Sequence, residues 1–221
     1  MATIYSDTED GYVSISNSNW ATARDAATGS SYSSSSAGTI YAIRADVASG
    51  RGGTTYFLSR SFFEFDTSGI SSNVESATFK VRGYTNGTAD IVAVKSNQGS
   101  SLAAADFDAI VGWSTGSADG SGAGDNEGNV TKYSGEIATW NTSAYNDITL
   151  NSAALADMKN DDAVYICLLQ YDNDLKDIAP TGTNRTGAYY ANYTGTSRDP
   201  YIDYTLAPTV TDNSVFFGCN F

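Results

Sequence analysis

The chain of 221 residues is long enough for one large β domain, and it carries a formal net charge of −13 from 12 Lys and Arg against 25 Asp and Glu. A chain this acidic is repelled by phosphate backbones and anionic lipid, which excludes nucleic acid and membranes from the expected partners. The sequence contains no histidine, which excludes His-based triads, His general bases and His metal ligands.

The cysteines and the N-terminus bear on where the protein is made. Cys167 lies in the apolar run 164–169 and is expected to be a buried thiol, whereas Cys219 lies near the end of the sequence. The first residues show neither the basic nor the apolar region of a secretory signal peptide. We therefore expect synthesis in the cytoplasm and no disulfide framework.

The first half of the sequence predicts short strands separated by turns. In the segment 54–66, Phe57, Phe63 and Phe65 alternate with Leu58 and Phe62. Both faces of this strand therefore carry apolar side chains, which indicates a central position in the sheet. Further strands are predicted at 11–15, 39–45, 74–84 and 90–96, with an exposed Ser/Gly-rich loop at 28–38.

The second half continues the pattern, with short helices predicted at 102–111 and 152–159. A Gly/Ser/Asp loop is expected at 114–129, and strands at 148–150, 163–171, 187–194 and 201–206. Many short strands with turn signals between them predict an all-β fold, a two-sheet antiparallel sandwich. Residues 1–207 form this domain, and residues 208–221 form a C-terminal tail with an apolar tip.

Four different segments, taken in order, carry a resemblance to a known family. They are Asp10-Gly11-Tyr12-Val13 followed by Asn19-Trp20, the segment 60–66 (RSFFEFD) with Ser68 and Ile70, the segment 74–81 (VESATFKV), and the segment 199–204 (DPYIDY). In this order and spacing they resemble the DNRLRE-type jelly-roll modules. These modules are similar to carbohydrate-binding modules and occur on bacterial surface proteins and in phage structural proteins.

The resemblance implies a jelly-roll β-sandwich, and the missing signal peptide favours the phage-type members. We therefore expect a bacteriophage virion structural protein, a head decoration or accessory capsid protein that is made in the host cytoplasm and released by lysis. Its partners would be other virion proteins such as the major capsid protein, and further copies of itself in a homo-oligomer. The alternatives are a tail-fibre or receptor-binding component, or a carbohydrate-binding module that recognises cell-surface glycans.

The acidic side chains include candidate ligands for a metal ion, but they do not form a catalytic motif. Asp172, Asp174 and Asp177 supply oxygen atoms of the kind that calcium binds, as do Asp119, Asp125, Asn126 and Glu127. Neither group has EF-hand spacing, and turn-forming Asx residues are the alternative. A structural calcium is the one cofactor that the sequence suggests. No carboxylate pair lies in a recognisable catalytic motif, so we do not expect an enzyme.

Aromatic side chains are the candidate ligand or interface residues. Trp20, Trp113, Trp140 and Tyr193 could stack on sugar rings, or they could pack in the core. Tyr189 and Tyr190 are consecutive in a predicted strand and should point to opposite faces. In the tail, Val215, Phe216, Phe217 and Phe221 would each gain about 1.5–3 kcal/mol when fully buried. They would fold back on the sandwich or dock on a neighbouring subunit.

Overall fold

The computed structural model of the protein describes residues 1–86, 88, 90–115 and 124–208. The strands within these ranges are β1 (Ala2–Tyr5), β2 (Gly11–Asn17), β3 (Ser31–Ser33), β4 (Gly38–Gly50), β5 (Gly53–Asp66), β6 (Val74–Asn86), β7 (Ile91–Lys95), β8 (Tyr145–Thr149), β9 (Ala163–Gln170), β10 (Arg185–Tyr189) and β11 (Tyr201–Leu206). The α-helices are α1 (Trp20–Arg24) and α2 (Ser152–Asn160). A 3₁₀ helix spans Ala104–Asp108, and a π-helical turn spans Tyr171–Leu175.

All strand pairs are antiparallel, and hydrogen bonds connect the eleven strands into one sheet. Its main path runs β1-β11-β6-β10-β4-β5-β2-β3, while β8 pairs with β6, and β9 pairs with β5 and β7. The predicted all-β class is therefore confirmed. The division into two separate sheets of a jelly roll stays a prediction, because the β6–β10 pairing joins the two halves.

The sheet curves back on itself and encloses a first hydrophobic layer. In the strand order β10 and β4 separate β6 from β5. Nevertheless Phe79 of β6 packs edge-on against Phe63 and Phe65 of β5, with ring centroids 5.1 and 5.3 Å apart. We call this apolar layer the first core; it also contains Ile166 of β9 and Met158 of α2. Burying a Phe in it contributes about 1.5–3 kcal/mol by transfer from water.

A second hydrophobic layer covers the other face of the same strands, and we call it the second core. Here loops, α1, the 3₁₀ helix and the π-helical turn take the place of a facing sheet. Its buried members include Leu58, Phe62, Val92, Val94, Phe107, Cys167, Leu169 and Leu175. The central position predicted for 54–66 is confirmed, since β5 pairs with β2, β4 and β9 and is buried on both faces. The thiol of Cys167 is free and fully buried.

Several elements differ from their sequence predictions. The segment 102–111 forms only a short 3₁₀ helix, whose first turn is closed by Asp106 accepting a hydrogen bond from the amide of Ala103 at 2.7 Å. The strand predicted at 187–194 begins at Arg185 and ends at Tyr189. The loop predicted at 28–38 contains the short strand β3, which pairs with β2, and the elements β1 and α1 had no sequence prediction. Both α-helices are short, and in the described ranges no helix has the length and hydropathy needed to cross a membrane.

Candidate functional site

One group of tyrosines lies on the outer surface of β1, β11 and β8. Tyr5 pairs with Tyr201 across the β1–β11 register, and their ring centroids are 5.6 Å apart. Tyr145 of β8 meets Tyr201 from the other side at 5.0 Å. Its hydroxyl donates a hydrogen bond to the carbonyl oxygen of Asp199, and burial raises the pKa of Tyr145 to about 12. Tyr5 remains 50% exposed, so this group faces solvent.

A second group lies beside it, at the end of β6. Tyr84 contacts Tyr189 of β10 with ring centroids 4.9 Å apart, and Tyr193 meets Tyr189 at 5.2 Å. The guanidinium of Arg198 lies over both Tyr189 and Tyr193, at 4.4 and 4.3 Å from their ring centroids. Tyr84 is 42% exposed. Cation–π contacts of this kind hold exposed rings in a defined orientation.

Arg82 connects the two groups into one surface. It lies two residues from Tyr84 on the same face of β6, and its guanidinium is 6.0 Å from the ring centroid of Tyr145. We call the whole surface the tyrosine belt, defined by Tyr5, Arg82, Tyr84, Tyr145, Tyr189, Tyr193, Arg198 and Tyr201. Next to it Lys80 donates to Asp147 at 2.8 Å, and this hydrogen bond raises the pKa of Lys80.

The belt does not form a flat platform. Neighbouring rings are inclined to one another by 49° for Tyr5–Tyr201 and by 80° for Tyr189–Tyr193. A sugar polymer that stacks along a surface needs rings in a common plane. Tyrosine and arginine are also the residues most enriched at the energetic centres of protein interfaces, where no common plane is required.

The three tryptophans predicted for the ligand surface lie outside the belt. Trp140 is buried in the first core, and its Nε1 donates to the carbonyl oxygen of Gly187 at 3.0 Å. Trp20 and Trp113 are half-buried and pack against the second core. Of the four described aromatic residues that were predicted, only Tyr193 belongs to the belt. Tyr190 is fully buried while Tyr189 is half-exposed, which confirms that they point to opposite faces.

Trp113 covers an ion pair that is buried in the second core. Arg60 of β5 donates from Nε and Nη2 to the two carboxylate oxygens of Asp174, at 2.8 and 2.7 Å. It also donates to the carbonyl oxygens of Phe107 and Arg24, at 2.6 and 3.0 Å. Its guanidinium lies 4.1 Å from the centroid of the Trp113 ring. These contacts join β5 to α1, the 3₁₀ helix and the π-helical turn.

Arg24 ties the same turn to α1. Its Nε donates to the carbonyl oxygen of Asp174 at 2.6 Å, and its Nη2 donates to that of Leu175 at 3.2 Å. Its Nη1 forms an ion pair with Asp25 at 2.7 Å. Both Arg24 and Arg60 are fully buried, and a buried charge is tolerated only when it is paired and hydrogen-bonded.

The predicted calcium ligands Asp172, Asp174 and Asp177 have separate protein partners. Asp174 binds Arg60, Asp172 pairs with Lys176 at 3.1 Å, and Asp177 accepts from Nε1 of Trp20 at 2.7 Å. Across the part of the chain that the structure describes, no group of three or more acidic or cysteine side chains is placed to hold a metal ion. The calcium site stays a prediction that this geometry does not support.

The structure describes only part of the second acidic segment and, of the tail, only Pro208. Asp125 accepts a hydrogen bond from the amide of Glu127 at 2.6 Å, as an Asx turn does. Glu127 accepts from Lys132 and from the hydroxyl of Tyr171, and the Tyr171 bond lowers its pKa. Asp119 and the predicted interface residues Phe216, Phe217 and Phe221 lie outside the described residues, as does Cys219.

A second buried carboxylate lies at the edge of the first core. Asp10 accepts from the hydroxyl of Ser6 at 2.7 Å and from the amide of Ala191 at 3.1 Å. Burial raises its pKa to about 7, and repulsion from Asp199 and Asp7 acts in the same direction. Asp199 is itself buried, which raises its pKa. Asp199 belongs to the loop that carries Tyr193 and Arg198, and Asp10 accepts a hydrogen bond from Ala191 of the same loop.

Sequence reasoning missed most of the tyrosine belt. Its members come from five strands and a loop, and the spatial order of those strands is not encoded in any local pattern. One usable signal was the alternation of β6, which places Lys80, Arg82 and Tyr84 on its outer face.

The comparisons with known proteins give no family. No protein-family model matches the chain. A search of curated proteins finds no match either. The function must therefore be argued from the site, meaning the geometry and chemistry of the exposed surface.

Proposed function

We propose that the chain is a structural protein on the outside of a bacteriophage particle, a head decoration or accessory capsid protein, and that the tyrosine belt is its assembly surface. The observation that carries the proposal is the belt itself, a contiguous row of tyrosines and arginines on a β-sheet surface, in which Tyr5 and Tyr84 are exposed and the other members are half-buried. Its partners would be other virion proteins and further copies of the chain.

The chemistry of the belt supports a protein partner. Tyrosine provides a large apolar ring and a polar hydroxyl at small cost in conformational entropy, and arginine binds carboxylates and aromatic faces. The rings of the belt are inclined to one another, and Trp140 is buried. Both observations weigh against a flat sugar-stacking platform and against the alternative of a carbohydrate-binding module.

Charge supports the same proposal. The chain carries a net charge of −13, yet the belt contains Arg82 and Arg198 and lies next to Lys80. Lys80 is paired with Asp147, so the two guanidinium groups of the belt are the cations that can direct a contact, on a protein whose net charge otherwise repels other copies of itself.

The test is particle binding by matched tyrosine variants. Particles from the source culture are first probed with immunogold against the protein, and gold over the head is expected. Tyr84→Ser combined with Tyr189→Ser should then reduce binding of the purified protein to particles that lack it, by at least tenfold. The control is Tyr32→Ser, because Tyr32 is 50% exposed on β3, at the other end of the strand order.

Each outcome decides between the candidates. Loss of binding in the belt variant alone supports the proposed assembly surface. Equal binding by the belt variant and the Tyr32 variant rejects the belt as that surface. Gold confined to the tail tip favours a receptor-binding component, and absence from every particle rejects the virion proposal.

A further inference from the structure

A groove lies between the first residues of β6 and one face of α2. Ser152, Leu155, Ala156 and Lys159 form its helix side, at a spacing that places them on one face of α2, and Val74 lies on its strand side. The cavity has a volume of about 360 Å³. We call it the β6–α2 groove. Leu155 is only half-buried and Ala156 is exposed, so the groove presents apolar surface beside the ammonium group of Lys159.

The last described residues lie at the edge of this groove. β11 ends at Leu206, which is aligned with Val74 in the β6–β11 register and is 44% exposed. The amide of Ala207 donates to the carbonyl oxygen of Asn73 at 2.8 Å, and Asn73 lines the groove. The sequence that follows Pro208 therefore starts next to the groove.

The sequence of residues 209–221 is complementary to the groove. It contains Val215, Phe216, Phe217 and Phe221, and its one charged residue is Asp212. The eight residues that follow Pro208, up to Phe216, can span about 26 Å when extended, whereas the helix face from Ser152 to Lys159 is only about 11 Å long. The apolar side chains can thus reach the whole groove, and Asp212 can reach Lys159.

We propose that the β6–α2 groove binds residues 209–221 of the same chain through Phe216 and Phe217. The short connection from Pro208 gives these residues an effective concentration at the groove on the order of millimolar, which favours their own groove over that of a second copy. This inference does not depend on the proposed function, because the groove involves the first residues of β6, whereas the belt begins at Tyr201, which is aligned with Lys80, roughly 20 Å along the strand from Val74.

Disulfide trapping in the full chain tests the proposal. Ala156→Cys places a thiol in the groove, where the native Cys219 can pair with it under mild oxidation. The other native cysteine, Cys167, is fully buried and has a raised pKa, so it stays unreactive. The matched control is Ala2→Cys, since Ala2 is exposed and aligned with Tyr204, close to the end of β11 but outside the groove.

The expected result is an intrachain disulfide in the Ala156→Cys protein that forms at least tenfold faster than in the control. It is detected as a faster monomer band on a non-reducing gel and assigned by peptide mapping. Equal rates in the two variants would overturn the docking proposal. Disulfide-linked dimers of the Ala156→Cys protein would overturn the same-chain assignment, because the segment would then occupy the groove of a second copy.

Discussion

Two aspartates are buried on opposite sides of the same sheet, and they are accommodated in different ways. Asp174, in the second core, accepts two hydrogen bonds from the guanidinium of Arg60. Asp10, at the edge of the first core, accepts hydrogen bonds from the hydroxyl of Ser6 and the amide of Ala191, the two donors that the described part of the chain offers it. The first carboxylate is neutralised by a cation, and the second is accommodated by a pKa raised to about 7.

The difference follows from what covers each side of the sheet. The first core is closed by the apolar side chains of strands and α2, while the charged side chains that are 0% exposed in the described ranges, Arg24, Arg60 and Asp174, lie on the other side. The second core is closed by short helices and loops, which contribute fewer apolar side chains. There the buried arginines bind backbone carbonyls of α1, the 3₁₀ helix and the π-helical turn, and thereby fix those segments in place. On this side of the sheet, the ion pair and its hydrogen bonds hold the covering segments in place, as a facing sheet does on the other side.

The largest predicted effect comes from breaking the buried ion pair. Asp174→Ala leaves the guanidinium of Arg60 buried without a carboxylate, and we expect the free energy of unfolding to fall by about 3–5 kcal/mol. Urea denaturation, followed by tryptophan fluorescence, measures this change.

The control for Asp174→Ala is the same substitution two residues away. Asp172 forms an exposed ion pair with Lys176, so Asp172→Ala should cost less than about 1 kcal/mol. A second comparison replaces both partners, as Arg60→Met with Asp174→Leu. This variant should recover much of the lost stability, because no unpaired charge remains. If Asp174→Ala were as mild as Asp172→Ala, the ion pair would not be what holds the second core together.

The next prediction concerns pH and Asp10. Its pKa is about 7 in the folded state, whereas the ordinary pKa of an aspartate is 3.8, so between these values the native state holds a proton that the unfolded state has lost. The stabilisation is complete below about pH 4 and is lost as pH rises through 7, by up to about 1.4 kcal/mol per pH unit. In Asp10→Asn this dependence should vanish, because a neutral amide can keep both hydrogen bonds. Above pH 7 the variant should be the more stable protein.

Thermal unfolding of both proteins from pH 4 to pH 8 measures the difference. The difference between variant and parent isolates Asp10, since Glu64, Asp90 and Asp199 also have pKa values raised by burial. Asp66→Asn is the control, because Asp66 is exposed and hydrogen bonds from Ser68 lower its pKa. Parallel curves for Asp10→Asn and the parent would show that Asp10 is already ionised in the folded protein.

Sequence patterns predicted the parts of the fold that depend on local periodicity. The alternation in 54–66 identified β5 as a central strand, and the helix predicted at 152–159 matches α2 within one residue. Burial of Cys167 followed from its apolar run. In each case the order of apolar and polar residues along the chain shows which face of the element is buried.

The same patterns could not predict the partners of Asp174. Its sequence context, with Asp172 and Asn173, is typical of a turn or a cation ligand, and nothing local points to Arg60, which is 114 positions away. The tyrosine belt shows the same limit, because its neighbours come from β1, β6, β8, β10 and β11. Which strands become neighbours is decided by the curvature of the whole sheet.

The smallest predicted effect comes from removing a hydrogen bond in the second core while every charged group stays paired. Trp20→Phe removes the hydrogen bond from Nε1 to Asp177 and keeps a ring that can pack on Tyr56, which lies 5.7 Å away. Asp177 retains the guanidinium of Arg24 at 3.6 Å, so no charge is left unpaired. We therefore expect a loss of only about 0.5–1.5 kcal/mol in the free energy of unfolding, measured by urea denaturation as for Asp174→Ala. A loss as large as that of Asp174→Ala would mean that the contact between α1 and Asp177, rather than the Arg60–Asp174 pair, holds the second core on the sheet.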